Sequence, residues 1–238
     1  MRVSAWIMAV SALGFGLFTV VFGIISPAQE IHAIHNAVVA SLLIVLSAPP
    51  AIVVARAPDR SIRALVILGA VAIASLATMA LSLTVDPFTL PFAVLIGVLW
   101  VVVPSREGAV PAGRSSWLML LMVAAGAVPL VLYALSHAEL QRIDSSSEHA
   151  AFFHWVETSF YASAILLLGL LAALRPGPLR MAAWLAGLAL AVLGGGSLLL
   201  GQYASAIEAP WSWAALLGGV AFIAAGAWEA QRVNLATD

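Results

Sequence analysis

The sequence predicts an all-α, polytopic membrane protein with eight transmembrane helices arranged as two fused four-helix units. The composition is 63% hydrophobic and only 9% charged, with a mean hydropathy of +1.08, far from the average of soluble domains. Eight apolar stretches are each close to the roughly 20 residues that a spanning helix needs. The last four stretches also repeat the order and spacing of the first four.

The apolar stretches are joined by short connections, so neighbouring helices are expected to pack as antiparallel pairs. The apolar run from Ala5 to Ile25 is longer than the core of a signal peptide, and no small-residue cleavage pattern follows it. We therefore expect this run to be a retained helix. The predicted spans are 4–25, 34–56, 62–84, 87–104, 115–136, 152–174, 180–202 and 211–229.

Matching motifs in the two halves indicate an internal duplication. The segment SAWIM at 4–8 corresponds to SSWLM at 115–119, and the arginine-flanked loop 56–63 corresponds to the loop 175–180. Because each unit has an even number of spans, both copies point the same way across the bilayer. A pseudo-two-fold axis along the membrane normal should then relate them.

The duplication defines the domain boundaries. The first four-helix unit is predicted at 1–104 and the second at 113–238, with a cytoplasmic linker at 105–112. Nine of the ten arginines fall on one side of an eight-span topology, and only Arg142 falls on the other. The positive-inside rule makes that arginine-rich side, and both termini, cytoplasmic. We expect a multi-pass protein of a bacterial or archaeal cytoplasmic (inner) membrane.

Composition also excludes several classes of function. The chain has no cysteine, so disulfides, thiolate metal sites and cysteine nucleophiles are absent. Its ten cationic residues are all arginines and are dispersed, which excludes a basic surface for nucleic acid. The lipid bilayer is the expected partner, together with a membrane, periplasmic or extracellular protein, and the oligomeric state is left open.

The histidines mark the candidate site. His154 follows His35 by the same number of residues by which Arg175 follows Arg56, so both rings should lie at the same depth on equivalent helices. The same offset pairs Glu30 with His149, two further side chains that can bind metals.

Two more ligands adjoin this pair. His32 lies one turn before His35, and Glu157 lies one turn after His154 and inside the apolar stretch. A carboxylate within a span is a functional-site hypothesis by default. We take His137 and His149 singly to be residues of a solvated outer loop.

Two cofactor hypotheses follow from these residues. In the first, His35 and His154 are the axial ligands of a b-type haem between the units. In the second, a nitrogen and oxygen site holds one transition-metal ion, Zn, Fe or Mn. The candidate metal ligands are Glu30, His32, His35, His149, His154 and Glu157.

Each cofactor implies a class of function. Haem or metal binding would serve electron transfer or an oxidoreductase partner. A metal with a bound water would instead serve a membrane-embedded hydrolase acting on a lipid or envelope substrate. The third hypothesis is a non-catalytic structural or assembly subunit of a membrane complex. The sequence leaves open whether the protein is an enzyme.

Overall fold

The computed structural model describes residues 2–25, 32–58, 61–102, 114–144 and 146–235. The regular secondary structure of these residues is helical. We number the main helices α1 to α8 in chain order, and each corresponds to one predicted apolar stretch. Their bounds are α1 Arg2–Ile25, α2 Ala33–Arg56, α3 Ile62–Ser82, α4 Leu90–Val102, α5 Trp117–Ile143, α6 His154–Leu174, α7 Arg180–Leu199 and α8 Ala209–Leu235.

Seven of these helices are long and apolar enough to cross a membrane, by length and composition. The chain is therefore compatible with a multi-pass membrane protein. Helix α4 is equally apolar but has only 13 residues in the described ranges, so the prediction of an eighth full span is not established. The predicted linker 105–112 lies outside the described residues.

Helix α2 is irregular in its middle. Residues Leu42–Ser47 form a π-helical segment, and Pro49 and Pro50 follow at once. Proline has no backbone N–H, so carbonyl groups one turn earlier lose their usual donors. The hydroxyl of Ser47, at the end of this segment, donates to the carbonyl of Leu42 at 2.8 Å.

The core of the bundle is formed where the two halves of the chain meet. Helices α2 and α3 of the first half pack against α6 of the second, and α2 also contacts α7. Tyr161 lies at this junction and is fully buried. Its hydroxyl donates to the carbonyl of Ala189 at 2.8 Å and lies 2.7 Å from the hydroxyl of Ser41. One side chain thus joins α2, α6 and α7.

Helices α7 and α8 approach each other closely because glycines line their contact. A Cβ on Gly187 would lie 2.6 Å from the carbonyl oxygen of Gly219, and a Cβ on Gly194 would lie 2.5 Å from that of Ser212. No larger residue fits without shifting a backbone. Small residues allow such packing in membrane helices, where van der Waals contact replaces the hydrophobic effect as the driving force.

Candidate functional site

Four histidines meet at one end of the bundle, which we call the histidine end. His32 and His35 come from the start of α2, and His149 and His154 come from the start of the second half's central helix and the turn before it. The four pairs that combine one ring from each half have centroids 4.7–4.8 Å apart. The two pairs within one half are wider, at 6.4 Å for His32 with His35 and 6.0 Å for His149 with His154.

These distances define a quadrilateral with nearly equal sides and nearly equal diagonals. The sides are longer than those of a flat figure with the same diagonals, so the quadrilateral is puckered. Its central point lies about 3.1–3.3 Å from the four ring centroids. A zinc ion bound to an imidazole nitrogen at roughly 2.0–2.1 Å lies about as far from the ring centre. The spacing of the rings therefore fits a single metal ion.

The orientation of the rings does not yet fit one. In the described ranges, no three His, Asp or Glu side chains are arranged to hold a metal ion as they stand. His35 and His154 are stacked with their planes 12° apart, whereas two ligands of one ion direct a nitrogen at a common centre. Binding an ion at the centre would require the imidazoles to rotate about their side-chain torsions.

His35 is fully buried, and its hydrogen bonds define its tautomer. The hydroxyl of Thr158 donates to the carbonyl of His154 at 2.8 Å, so its oxygen can only accept from Nδ1 of His35, 3.0 Å away. The ring proton is therefore on Nδ1, and Nε2 carries the lone pair. A metal-binding histidine is commonly oriented in this way, with its other nitrogen held by a hydrogen bond.

His154 is oriented by a carboxylate on its own helix. Its Nδ1 lies 3.1 Å from Oε2 of Glu157, which is one turn further along α6 and 5% exposed. When the ionised Glu157 accepts a hydrogen bond from Nδ1–H of His154, the lone pair of the ring is on Nε2. The i, i+3 spacing noted in the sequence thus produces a His–Glu pair, with Glu157 behind the ring of His154.

His32 is 2% exposed, and its two nitrogens have different surroundings. Nε2 lies 3.6 Å from a carboxylate oxygen of Glu148, whose side chain is largely exposed. Nδ1 is buried and has no hydrogen-bond partner among the described residues. Burial lowers the pKa of His32, and the neighbouring His154 and His149 lower it further, although Glu148 opposes this shift. The ring therefore stays neutral, as a metal ligand must.

His149 belongs to a single helical turn, Glu148–Ala151, that precedes α6. The hydroxyl of Ser147 accepts from the backbone N–H of Ala150 and caps this turn. Gln141 at the end of α5 donates to the carbonyl of Ala150 at 3.0 Å and fastens it. Phe153 then takes a left-handed conformation, with φ of 63°, and the chain reverses into α6. The ring of His149 stacks on Trp155 at 4.8 Å.

His137 is not a residue of a solvated loop, and that prediction is wrong. Helix α5 continues to Ile143, well beyond the apolar stretch that ends at 136, and His137 is buried on its inner face with 5% exposure. Its Nδ1 donates to the carbonyl of Tyr133 at 2.8 Å, and its Nε2 accepts from the hydroxyl of Ser205 at 2.8 Å. Both nitrogens are used, so His137 is a supporting residue beside the cluster.

Ser205 connects His137 to the cluster. It lies between α7 and α8 in a left-handed conformation, with φ of 68°, which is uncommon for a residue other than glycine. The hydroxyl of Tyr133 donates to its carbonyl at 2.6 Å and holds it there. The hydroxyl oxygen of Ser205 lies 3.5 Å from Nε2 of His35. It has no proton to donate there, because the Ser205 hydroxyl donates to His137.

Asp86 adds a buried carboxylate near the histidines. It is fully buried before α4, where its side chain accepts from the backbone N–H of Phe88 at 2.8 Å and from the hydroxyl of Thr89 at 2.6 Å. Burial raises the pKa of Asp86, while these hydrogen bonds and nearby His154 oppose the shift. Asp86 caps the turn that leads into α4, and its charge also acts on His154.

The predicted ligands are thus largely gathered at one place. His32, His35, His149 and His154 lie together and Glu157 supports them, while Glu30 lies outside the described residues. Asp86, Thr158 and Ser205 also belong to this neighbourhood and were not predicted to, whereas His137 was expected near it as a loop residue. The motif Asp86–Thr89, an acidic residue three positions before a threonine at a helix start, was the one available signal for a buried cap.

Comparison with known proteins adds no relative. No known family model matches the chain, and neither the curated proteins nor the solved structures contain a significant match.

Proposed function

We propose that the protein is an eight-span membrane protein that binds one transition-metal ion at its histidine end, between two duplicated halves. The ligands would be His32, His35, His149 and His154. Imidazole nitrogen is a ligand for zinc and iron, and no thiolate competes for them in this chain. Manganese, which prefers oxygen ligands, is the least suited of the three metals considered.

The single observation that carries this proposal is the pairing of rings across the two halves. Each ring is 4.7–4.8 Å from both rings of the other half, which gives two ligands from each side of one centre. The hydrogen bonds support it, because Thr158 and Glu157 leave Nε2 of His35 and His154 with lone pairs. The buried Nδ1 of His32 also has a lone pair without a donor among the described residues.

The same geometry does not favour a haem between His35 and His154. Axial imidazoles bind the iron end-on from opposite faces of the macrocycle, which keeps the two rings apart. Here the rings are stacked at 4.8 Å, and no space for a macrocycle separates them. We therefore propose a metal ion at this site and not a haem.

Helix packing is compatible with the proposed duplication. Helix α1 packs on α2 as α5 packs on α6, and α4 packs on α3 as α8 packs on α7. The helices that carry the paired histidines, α2 and α6, are the equivalent central members of the two units. The arginine distribution further leads us to propose that the histidine end faces outward and that the membrane is a cytoplasmic (inner) one.

Metal-dependent hydrolysis of a lipid or envelope substrate is a second candidate function. It is favoured by two buried carboxyl groups in the region of the cluster. Glu157 lies with Oε2 3.1 Å from Nδ1 of His154, and Asp86 is buried in the turn before α4. A bound metal ion supplies an activated water in such enzymes, provided that one coordination position is open. His149, which is only half-buried on a single helical turn, is the ligand whose place a water could take.

Metal binding can be tested on the purified protein in detergent. After treatment with a chelator, the chain should take up one zinc ion, measured by elemental analysis and calorimetry. The double variant His35→Asn with His154→Asn should lose this uptake. His137→Asn is the matched control, because His137 is buried nearby but lies outside the quadrilateral, and it should keep one ion per chain.

A milder variant, which keeps all four histidines, distinguishes an effect on metal binding from an effect on folding. Thr158→Val keeps the shape of the side chain but removes the acceptor at Nδ1 of His35. Loss of such a supporting hydrogen bond typically weakens metal binding about 10–100-fold. Failure of the wild-type protein to bind zinc or iron, equal loss in His137→Asn, or a reducible haem spectrum after purification would each refute the proposed ligand set.

A further inference from the structure

The second half of the bundle contains a large, partly open cavity that the proposed metal ligands do not use. Its volume is about 1030 Å³, and side chains of α5, α6, α7 and α8 line it. Ligand pockets for small molecules usually have roughly 300–1,000 Å³, so this cavity is at the upper end of that range. The cavity is large enough for a lipid-sized occupant.

The lining of the cavity changes in polarity along its length. Its polar residues, among them Tyr133, Ser136, His137, Ser205 and Glu208, lie at the histidine end. The remainder of the wall is apolar, with methionine, leucine, alanine, glycine and phenylalanine. A polar end joined to a long apolar tube is the shape that an amphiphile with a hydrocarbon chain would fill.

The length of the cavity also fits a hydrocarbon chain. Along α5 the lining extends from Met122 to Leu140, which is about 27 Å at the rise of an α-helix. The hydrocarbon core of a bilayer is roughly 30 Å thick. An occupant that enters from the bilayer could therefore extend its chain through most of this depth.

The seam between α5 and α8 is where such a chain can enter. Helix α5 packs chiefly on α6 and α8 chiefly on α7, and contacts between α5 and α8 are few. Two lining glycines, Gly126 on α5 and Gly218 on α8, have open space where a Cβ would be. Few helix contacts and small residues thus separate the cavity from the outside of the bundle along this seam.

The polar end offers mainly hydrogen-bond acceptors to a ligand. The hydroxyl proton of Tyr133 is donated to the carbonyl of Ser205, that of Ser205 to His137, and that of Ser136 to the carbonyl of Tyr133. Glu208 adds a carboxylate at this end. Oxygen lone pairs therefore remain, and a complementary head group would donate hydrogen bonds.

We propose that this cavity binds a membrane lipid with one hydrocarbon chain between α5 and α8 and a hydroxyl- or amine-bearing head group against Tyr133, Ser205 and Glu208. The proposal does not rest on metal binding, since the chain site and the histidine quadrilateral share no ligand. Ser205, which lies 3.5 Å from Nε2 of His35, would bring the head group beside the cluster.

Photo-crosslinking in lipid nanodiscs tests this inference. A monoacylglycerol with a diazirine in its chain should label residues that face the cavity on α5 and α8. Gly126→Phe combined with Gly218→Phe should fill the cavity and reduce this labelling roughly tenfold or more. Gly14→Phe combined with Gly97→Phe is the matched control, because both glycines also have open space but lie outside the cavity, and it should leave the labelling unchanged.

Competition tests the head group separately. Unlabelled monopalmitoylglycerol should displace the probe, and methyl palmitate, which has the same chain but no donor, should compete far less. Chelator-treated protein should give the same result, which distinguishes this site from the metal site. Labelling spread evenly over the exposed faces of α1 and α8, equal competition by both amphiphiles, or crosslinks from the seam to a second copy of the chain would overturn the proposal. If the double variant aggregates, the two single variants and the map of labelled residues in the wild-type protein test the proposal instead.

Discussion

The imidazole rings of His35 and His154 are stacked, with centroids 4.8 Å apart and planes 12° from parallel. These residues come from different halves of the chain, at the starts of α2 and α6. Their contact shows that the two central helices begin at the same level of the bundle. It also brings His32 and His149 into the same cluster, because each is within 4.8 Å of both rings of the opposite half.

The buried state of His32 predicts a loss of stability in acid. Its pKa is lowered in the folded protein from an ordinary value of 6.5, chiefly by burial. As the pH falls below about 6.5, the unfolded chain takes up a proton that the folded chain does not, so the free energy of unfolding decreases. The apparent melting temperature in detergent should therefore fall between pH 8 and pH 5, and His32→Asn should reduce that fall.

Glu148 provides a control with the opposite effect. Its carboxylate lies 3.6 Å from Nε2 of His32 and partly offsets the lowering of the pKa. Glu148→Gln should therefore make the acid loss of stability steeper than in the wild-type protein. An unchanged pH dependence in both variants would show that His32 does not titrate as described.

Two substitutions of Asp86 should have different effects on the stability of the protein. Burial raises the pKa of Asp86 from an ordinary value of 3.8. The ionised carboxylate is therefore less stable in the folded protein than in the unfolded chain. Asp86→Asn keeps an acceptor for the N–H of Phe88 and should be neutral or stabilising near pH 7. Asp86→Ala removes the cap and should cost about 1 kcal/mol.

The pH dependence of this contrast can be worked out. Between pH 3.8 and the raised pKa, the folded protein binds more protons than the unfolded chain, so Asp86 loses its favourable contribution as the pH rises. The asparagine variant does not titrate, and its stability relative to wild type should increase with pH in that window. Melting temperatures of the three proteins across this range would reveal it, and an asparagine variant as unstable as the alanine variant would be at odds with it.

Two adjacent glycines on α8, Gly218 and Gly219, should differ in how well they tolerate substitution by alanine. A Cβ on Gly219 would collide with the carbonyl of Gly187 and with Ala191, whereas a Cβ on Gly218 meets nothing within 4 Å. Gly219→Ala should therefore destabilise the protein by about 1–3 kcal/mol, the usual cost of overpacking. Gly218→Ala should have little effect. Thermal unfolding in detergent measures both, and equal behaviour would argue against the close packing of α7 on α8.

The positions of the helices could be predicted from hydropathy, but the ends of several helices could not, among them those of α4 and α5. Hydropathy detects the apolar part of a helix, and α5 continues for seven further residues, 137–143, that contain polar and charged side chains. Conversely, the turn capped by Asp86 delays the start of α4 to Leu90, three residues later than predicted. Both errors arise because helix ends are set by caps and local hydrogen bonds.

The site could be predicted only in part for a related reason. The common offset of His35 and His154 indicates equal depth, and an i, i+3 spacing indicates that Glu157 shares a face with His154. Helix rotation is not encoded in uniformly apolar spans, so the burial of His137 was not foreseen. Ser205 reaches the cluster from a loop, and no periodicity predicts such a contact.

The central claim is that imidazoles from both halves bind one metal ion, and X-ray absorption at the zinc edge tests it most directly. Chelator-treated protein would be loaded with one equivalent of zinc and measured beside the His35→Asn, His154→Asn double variant. We predict three or four nitrogen ligands at roughly 2.0–2.1 Å with the scattering pattern of imidazole, and loss of that pattern in the variant. A coordination shell made of oxygen alone, or an imidazole pattern that survives in the variant, would contradict the account.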